Sequence, residues 1–170
     1  IEHSSAVQGK RTKIHIKYNC GMNRLGVDSL QELNILAKKI SQSKHLYLDG
    51  TFSHVHDPQN KKCLINAQNN FLLANNLIKG YNNRAICHLE ASGGFLSGVK
   101  SDMARIGLLM YGYYPFNINT VAVKPIMKVY APIIKTRKLK KHDSCLYGDY
   151  SLDKDDEVCL VRYGYADGLN

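Results

Sequence analysis

No run of apolar residues in this sequence is long enough to cross a bilayer, which argues against a membrane-spanning segment. The start, Ile1-Glu-His-Ser-Ser5, has neither an initiator methionine nor the pattern of a signal peptide, so the expectation is a piece cut from a longer chain. Among its five cysteines no two stand as C-x-x-C; structural zinc is not expected, and reduced thiols fit a cytoplasmic compartment. Acidic residues are scarce, 14 Asp and Glu against 23 Lys and Arg, for a formal charge of +9. The densest basic block, residues 135–142, has no interleaved aromatics and no recognition motif. That argues against a nucleic-acid partner and for a solvated edge strand. Low-complexity segments are absent, and 44% hydrophobic content in 170 residues suffices for one sizeable core.

What is present is a repeating strand, turn and helix. Ile14 and Ile16 alternate with Lys13, His15 and Lys17, the period of a strand. Gly21 and Gly26 then bracket Arg24, whose guanidinium fork suits bidentate contact with a carboxylate or phosphate; the bland alternative is a surface arginine. Ser29 and Glu32 have capping-box spacing ahead of a stripe of Leu30, Leu33, Leu36, Ala37 and Ile40. A second unit runs from a strand near His45 to a helix over residues 66–78, with Ala67, Phe71, Ala74 and Ile78 on one side and Gly80 as its stop. A third strand over residues 85–89 leads into Ala91-Ser-Gly-Gly94, and a fourth over residues 104–111 carries Arg105 towards Pro115. Strands alternating with helices predict a parallel sheet, open or closed into a barrel. Beyond Pro115 the pattern is strands without helices, over residues 126–134, 144–150 and 157–163, so a second, mainly β, domain is expected to begin near residue 120.

Parallel α/β folds place their chemistry at the carboxyl ends of the strands. Four such ends carry functional groups: Lys17 with Arg24, His54, Ser92 with its glycines, and Arg105 with Gly107. Ser92-Gly93-Gly94 suits a phosphate, because a hydroxyl and exposed backbone N–H groups can converge on an anion, although a plain turn reads the same way. His54-Val-His56-Asp57 after a strand also fits two imidazoles sharing a divalent metal, with Lys17 as a carbamylated bridge, the pattern of a metal-dependent barrel hydrolase. The later strand ends, however, carry Ser92 and Arg105 where further ligands are needed, and an arginine repels a metal.

Gly21-Met-Asn-Arg-Leu-Gly26, Asp49-Gly-Thr-Phe-Ser-His54, His88-Leu-Glu-Ala-Ser92, Arg105-Ile-Gly-Leu-Leu-Met-Tyr-Gly112 and Gly164-Tyr-Ala-Asp-Gly168 occur in one order. In that order and over nearly the whole chain the sequence resembles the alanine racemase family. The first and last motifs are specific to that family; the middle three are supportive. The resemblance implies α/β architecture: part of a (β/α)8 TIM-type barrel followed by part of a mainly β C-terminal domain. Residues 1–118 would supply the second half of the barrel and residues 119–170 the start of the β domain. It implies pyridoxal phosphate as cofactor, a small amino acid as substrate and a head-to-tail homodimer. The implied reaction interconverts L- and D-alanine, or the serine enantiomers, by two-base transfer of the α-proton, with D-alanine destined for peptidoglycan. A non-catalytic homologue that keeps the fold is the alternative.

Position by position, Arg105 matches the arginine that hydrogen-bonds the cofactor's pyridine nitrogen, and Ser92, Gly107 and Leu108 match phosphate-binding positions. His54 matches a histidine packed beside the cofactor. Arg24 matches the arginine that reaches the substrate carboxylate and the cofactor's phenolic oxygen, and Lys17 a lysine carbamylated in some members, where the added negative charge orients that arginine. Tyr150 is the candidate catalytic tyrosine and Tyr147 its fallback, because the family's Y-G-x-x-Y is one residue shorter in Tyr147-Gly-Asp-Tyr150. Other departures are Asn19-Cys20 where the family has D-T, and Glu90-Ala91-Ser92 where it has N-S. The family's Schiff-base lysine lies on an earlier strand; Lys39 and Lys44 sit in or beside a helix and cannot replace it, so the piece alone is expected to be inactive.

Overall fold

The computed structural model describes residues 1–118, 120–144 and 151–168. The chain forms two compact units, Ile1–Ile126 and Met127–Asn170. In the first, α1 (Glu2–Val7), β1 (Thr12–Lys17), α2 (Leu30–Gln42), β2 (Leu46–Phe52), α3 (Lys61–Tyr81), β3 (Ile86–His88) and α4 (Ser92–Leu96) follow one another. The strands pair in parallel in the order β1-β2-β3, with α2 and α3 as the connections, as the alternation predicts.

Local chemistry sets the helix ends. The Ser29 hydroxyl accepts from the Glu32 amide at 3.1 Å, while the Glu32 carboxylate reaches back to the Asp28 amide at 2.9 Å. This is the expected cap, displaced by one residue on its return arm. Helix α3 is longer than its apolar stripe predicts. Asn60 caps it by accepting from the Cys63 amide at 3.1 Å, so it begins five residues before residue 66, and it passes through Gly80. The stop is Asn82, in extended conformation, whose side-chain amide donates to Leu48 O at 2.8 Å and to the Tyr47 hydroxyl at 3.0 Å.

The two faces of the sheet are unlike. Ile16, Tyr18, Leu46, Leu48 and Cys87 are buried in one cluster with Leu33, Ala37 and Ile40 of α2 and Ala67, Phe71, Ala74 and Ile78 of α3. Leu33 and Ile78 are fully inaccessible, and burying each contributes roughly 1.5–3 kcal/mol. Leu36 flanks this stripe and stays 38% exposed. The opposite face carries Lys13, His15 and Lys17 of β1, Tyr47, Asp49 and Phe52 of β2, and His88 of β3. One irregularity shapes it: Ile14 pairs with Leu48 but His15 with Gly50, so Asp49 is an extra residue in β2. Such a bulge re-aims the side chains that follow. Leu46 and Leu48 before it and Thr51 and Ser53 after it are buried, while the Thr51 and Ser53 hydroxyls donate to Ile16 O at 2.8 Å and Tyr18 O at 2.5 Å.

The expected fourth strand over residues 104–111 is not formed. Arg105 makes a single parallel bridge to Ala91, with its amide on Glu90 O at 3.0 Å, and Leu108–Tyr111 is a 3-10 turn. Gly107, with φ −114° and ψ −86°, takes the backbone out of the extended run.

In the second unit β4 (Ile133–Leu139) and β5 (Asp156–Val161) form an antiparallel pair. The strand expected over residues 126–134 thus begins only at Ile133, past Pro132, which cannot donate to a ladder. Most of the basic block, residues 135–142, lies in exposed β4, as expected of a solvated strand. Of the strand expected over residues 144–150, residues 145–150 lie outside the described residues, and Ser144 bridges Ser151.

Candidate functional site

The polar face of the parallel sheet gathers cationic and aromatic side chains at its carboxyl end. Arg105 lies against it. One guanidinium nitrogen donates to His88 O at 2.9 Å and to His88 Nδ1, and the other terminal nitrogen donates to Ser53 O. The guanidinium carbon lies 5.4 Å from the centroid of the Phe52 ring, which stacks on His88 at 5.3 Å with planes only 6° apart. A planar cation thus sits on an aromatic face with its donors spent in fixed directions. Burial lowers the Arg105 pKa from its ordinary value, and the buried Glu90 carboxylate opposes that shift.

His54, just past the end of β2, is half-buried. Its pKa falls below the usual histidine value through burial first, then through the positive charges of Arg105, Arg24 and Lys17. The Lys17 amine is 5.9 Å from the Phe52 ring centroid. A neutral imidazole among three cations is ready to accept a hydrogen bond, and the positive field favours an anionic ligand.

Arg24 is held by its turn. The Asn19 side-chain oxygen accepts from the amides of Gly21 at 3.1 Å and Asn23 at 3.0 Å, and its NH2 donates to Asn23 Oδ1 at 2.9 Å and Asp28 Oδ1 at 2.7 Å. Gly26 has φ +124°, and a Cβ there would lie 3.0 Å from Lys17 O, so only glycine closes the turn against β1. The Arg24 side chain itself is exposed and lines a cavity of about 320 Å³ with Asn19, Asn23 and Asp28, rather than ending in a buried position.

Ser92 is buried, and its hydroxyl oxygen accepts from the Gly107 amide at 3.1 Å and the Leu109 amide at 3.3 Å. The Leu108 amide, at the first position of the 3-10 turn, is among the donors such a turn leaves without an internal partner. His56 stands apart, exposed, with its ring nitrogens 3.4 and 3.5 Å from Cys63 Sγ. The two histidines of the hydrolase pattern therefore serve different surroundings. Among the described residues no three His, Cys, Asp or Glu side chains gather so as to hold a metal ion.

The family model for the alanine racemase N-terminal domain matches residues 1–115. The chain belongs to the alanine racemase family. Alanine racemases of Francisella tularensis subsp. tularensis strain FSC 198 and subsp. novicida strain U112 are 32% and 30% identical to it over 177 aligned residues. Each alignment takes in 99% of this chain and 48% of the relative, so the chain spans about half the length of the curated relatives it matches. Among solved structures, alanine racemase from Streptomyces coelicolor A3(2) superposes with a TM-score of 0.84 at 19% identity, covering 98% of this chain and 47% of that one. The Bacillus anthracis enzyme with bound L-Ala-P gives 0.77 at 24%, covering 98% and 46%. The fold is part of a TIM-type barrel followed by part of a mainly β C-terminal domain.

Of the residues singled out in the sequence, Lys17, Arg24, His54 and Arg105 share one electrostatic neighbourhood, and Ser92 meets Gly107 beside the Ala91–Arg105 bridge. Leu108 is exposed. Tyr150 and Tyr147 lie outside the described residues. His15, Asp49, Phe52 and His88 carry no functional role that sequence pattern alone assigns. His15 was visible on the Lys13 and Lys17 face of its strand, and His88 four residues before Ser92; the bulge that presents Asp49 left no signal.

Proposed function

We propose that the full-length protein is a pyridoxal-phosphate-dependent racemase that interconverts L- and D-alanine. The observation that carries the reading is the clamp on Arg105, a partly buried cation fixed on Phe52 and His88 at the mouth of a racemase-family sheet. The residues present suit the cofactor chemically: a buried serine hydroxyl and the Leu108 amide at the head of the 3-10 turn for a phosphate, three cations for its charge, and a guanidinium for its ring. When bound, pyridoxal phosphate supplies an electron sink that acidifies the substrate Cα–H.

Ser92, Gly107 and Leu108 hold the phosphate. Arg105, which keeps its proton, faces the ring nitrogen as a donor and so leaves that nitrogen unprotonated. His54 packs beside the ring. Arg24 takes the substrate carboxylate with its fork, and a carbamylated Lys17 orients Arg24. Tyr150, with Tyr147 as the alternative, donates and accepts the α-proton on one face of a neighbouring subunit's site in a head-to-tail homodimer, opposite a lysine base. Residues 1–118 belong to the barrel and residues 119–170 open the β domain. The enzyme works in the cytoplasm and supplies D-alanine for peptidoglycan, with serine as the alternative substrate. The 170-residue chain alone does not turn over.

The test is chiral analysis of L-alanine and L-serine incubated with the purified full-length protein, with and without added cofactor. Cofactor-dependent appearance of D-alanine is expected; a cofactor-loaded protein that leaves L-alanine unchanged overturns the reading. Turnover by the 170-residue chain alone overturns its last clause.

A further inference from the structure

Behind Arg105, a file of hydrogen bonds crosses all three strands. His88 Nε2 lies 2.9 Å from His15 Nδ1, and His15 Nε2 lies 3.4 Å from Asp49 Oδ2, whose other oxygen is 3.3 Å from the exposed Lys13 amine. Protons can be placed along this file by elimination. A guanidinium has five N–H donors and no acceptor, so His88 Nδ1, which meets Arg105, must be bare. The His88 proton is then on Nε2 and is donated to His15 Nδ1, which must accept. His15 in turn carries its proton on Nε2, facing the Asp49 carboxylate. Both imidazoles are neutral, and every bond points from Arg105 towards Asp49.

The sheet is shaped for this arrangement. The extra residue in β2 is Asp49 itself. At its neighbour Gly50, a Cβ would stand 2.6 Å from His15 Cε1 and 2.7 Å from His15 Nδ1, so the missing side chain is the space the imidazole occupies. His88 is buried, flat against Phe52, and has no room to turn its ring without losing that stack. Burial first, then Arg105 and His15, lower its pKa to about 4, which keeps it neutral at physiological pH. The charged or titratable groups around it are Arg105, His15 and Asp102.

We infer that Asp49 and His15 are positioning residues that hold His88 as the neutral tautomer protonated on Nε2, and through it fix the direction in which Arg105 presents its remaining donors. Neither touches substrate or cofactor. The bearing on turnover rests on the racemase reading of the preceding section; the polarity of the relay does not.

The experiment uses the full-length protein labelled with 15N-histidine and read by long-range 1H–15N correlation, with steady-state kinetics on the same samples. In the wild type, His88 and His15 are each expected to show a protonated Nε2 and a bare Nδ1. His15→Leu removes the acceptor and leaves the His88 N–H unmet, so the His88 signals should broaden or shift. kcat should fall roughly ten- to hundredfold with KM little changed, the signature of a misplaced group rather than lost binding. His15→Asn, whose side-chain oxygen can stand where Nδ1 stood, should restore most of both. A His88 protonated on Nδ1, or an imidazolium, overturns the inference whatever the activity. So does His15→Leu with unaltered His88 signals and kcat. The expected tautomers and their shift in His15→Leu in a protein that racemises nothing would uphold the relay and sink the functional reading alone.

Discussion

Adding one methyl group at Gly50 tests how tightly the sheet is built around its polar face. The Cβ of Gly50→Ala would lie 2.0 Å from Ile86 O, on the strand paired with it, besides its two contacts with the His15 ring. To open even 3.0 Å, the carbonyl of Ile86 must retreat by a full ångström, and β3 is only three residues long. Forcing a methylene into a packed site costs about 1–3 kcal/mol, and a backbone obstacle puts this position at the upper end. Against that stands the usual gain of about 0.5–1 kcal/mol when a strand or loop glycine becomes alanine and the unfolded chain loses freedom. The net expectation is a loss of about 2 kcal/mol. With a denaturant slope of about 1–3 kcal/mol per molar urea, the unfolding midpoint of the full-length protein should drop by about 1 M. The sign decides the matter. If Gly50→Ala raises the midpoint, as an unconstrained glycine would, neither the close β2–β3 approach nor the notch for His15 exists.

Two further outcomes follow from the same geometry. Ser92→Ala leaves the Gly107 and Leu109 amides without their acceptor, so stability should fall by about 1–3 kcal/mol and the cofactor should dissociate more readily, read by urea unfolding and by absorbance titration of the holoprotein. The histidine on Phe52 should make stability depend on pH: its pKa is about 4 when folded against 6.5 when free, so between these values the unfolded chain binds the extra proton. Stability from this source is full above 6.5 and is lost as pH falls towards 4, and urea midpoints from pH 7 to 4.5 should slope less steeply in His88→Asn than in the wild type.

How much of this was legible in the sequence depends on the range of the interaction. Ile14 and Ile16, and the stripe of Leu33, Ala37 and Ile40, announced their elements because periodicity is local and each burial pattern repeats it. The capping Ser29 was legible for the same reason. Helix α3 outruns its stripe at both ends because its start is an asparagine cap outside the apolar stripe and its stop is a side-chain contact to β2, neither of which a stripe contains. The run of apolar residues after Arg105 reads as a fourth strand, whereas Gly107 and the two amides on Ser92 turn it into a 3-10 segment.

The site divides along the same line. Arg105, Ser92 and Arg24 could be named from motifs, but what gives Arg105 a fixed direction is a bond file that joins residues 34 and 73 positions apart in the sequence. No one-dimensional signal marks such a pairing. It exists because one extra residue in β2 breaks the alternation between Leu48 and Thr51, turning both Asp49 and Phe52 to the polar face. Without the bulge, strict alternation would send either the anchor of the relay or the aromatic platform under Arg105 into the helix-covered core. A uniform strand cannot supply both from positions 49 and 52, three residues apart. The irregularity that makes the sequence harder to read is therefore what lets one short stretch serve the core with Leu46, Leu48, Thr51 and Ser53 while presenting a carboxylate to His15 and a ring to Arg105.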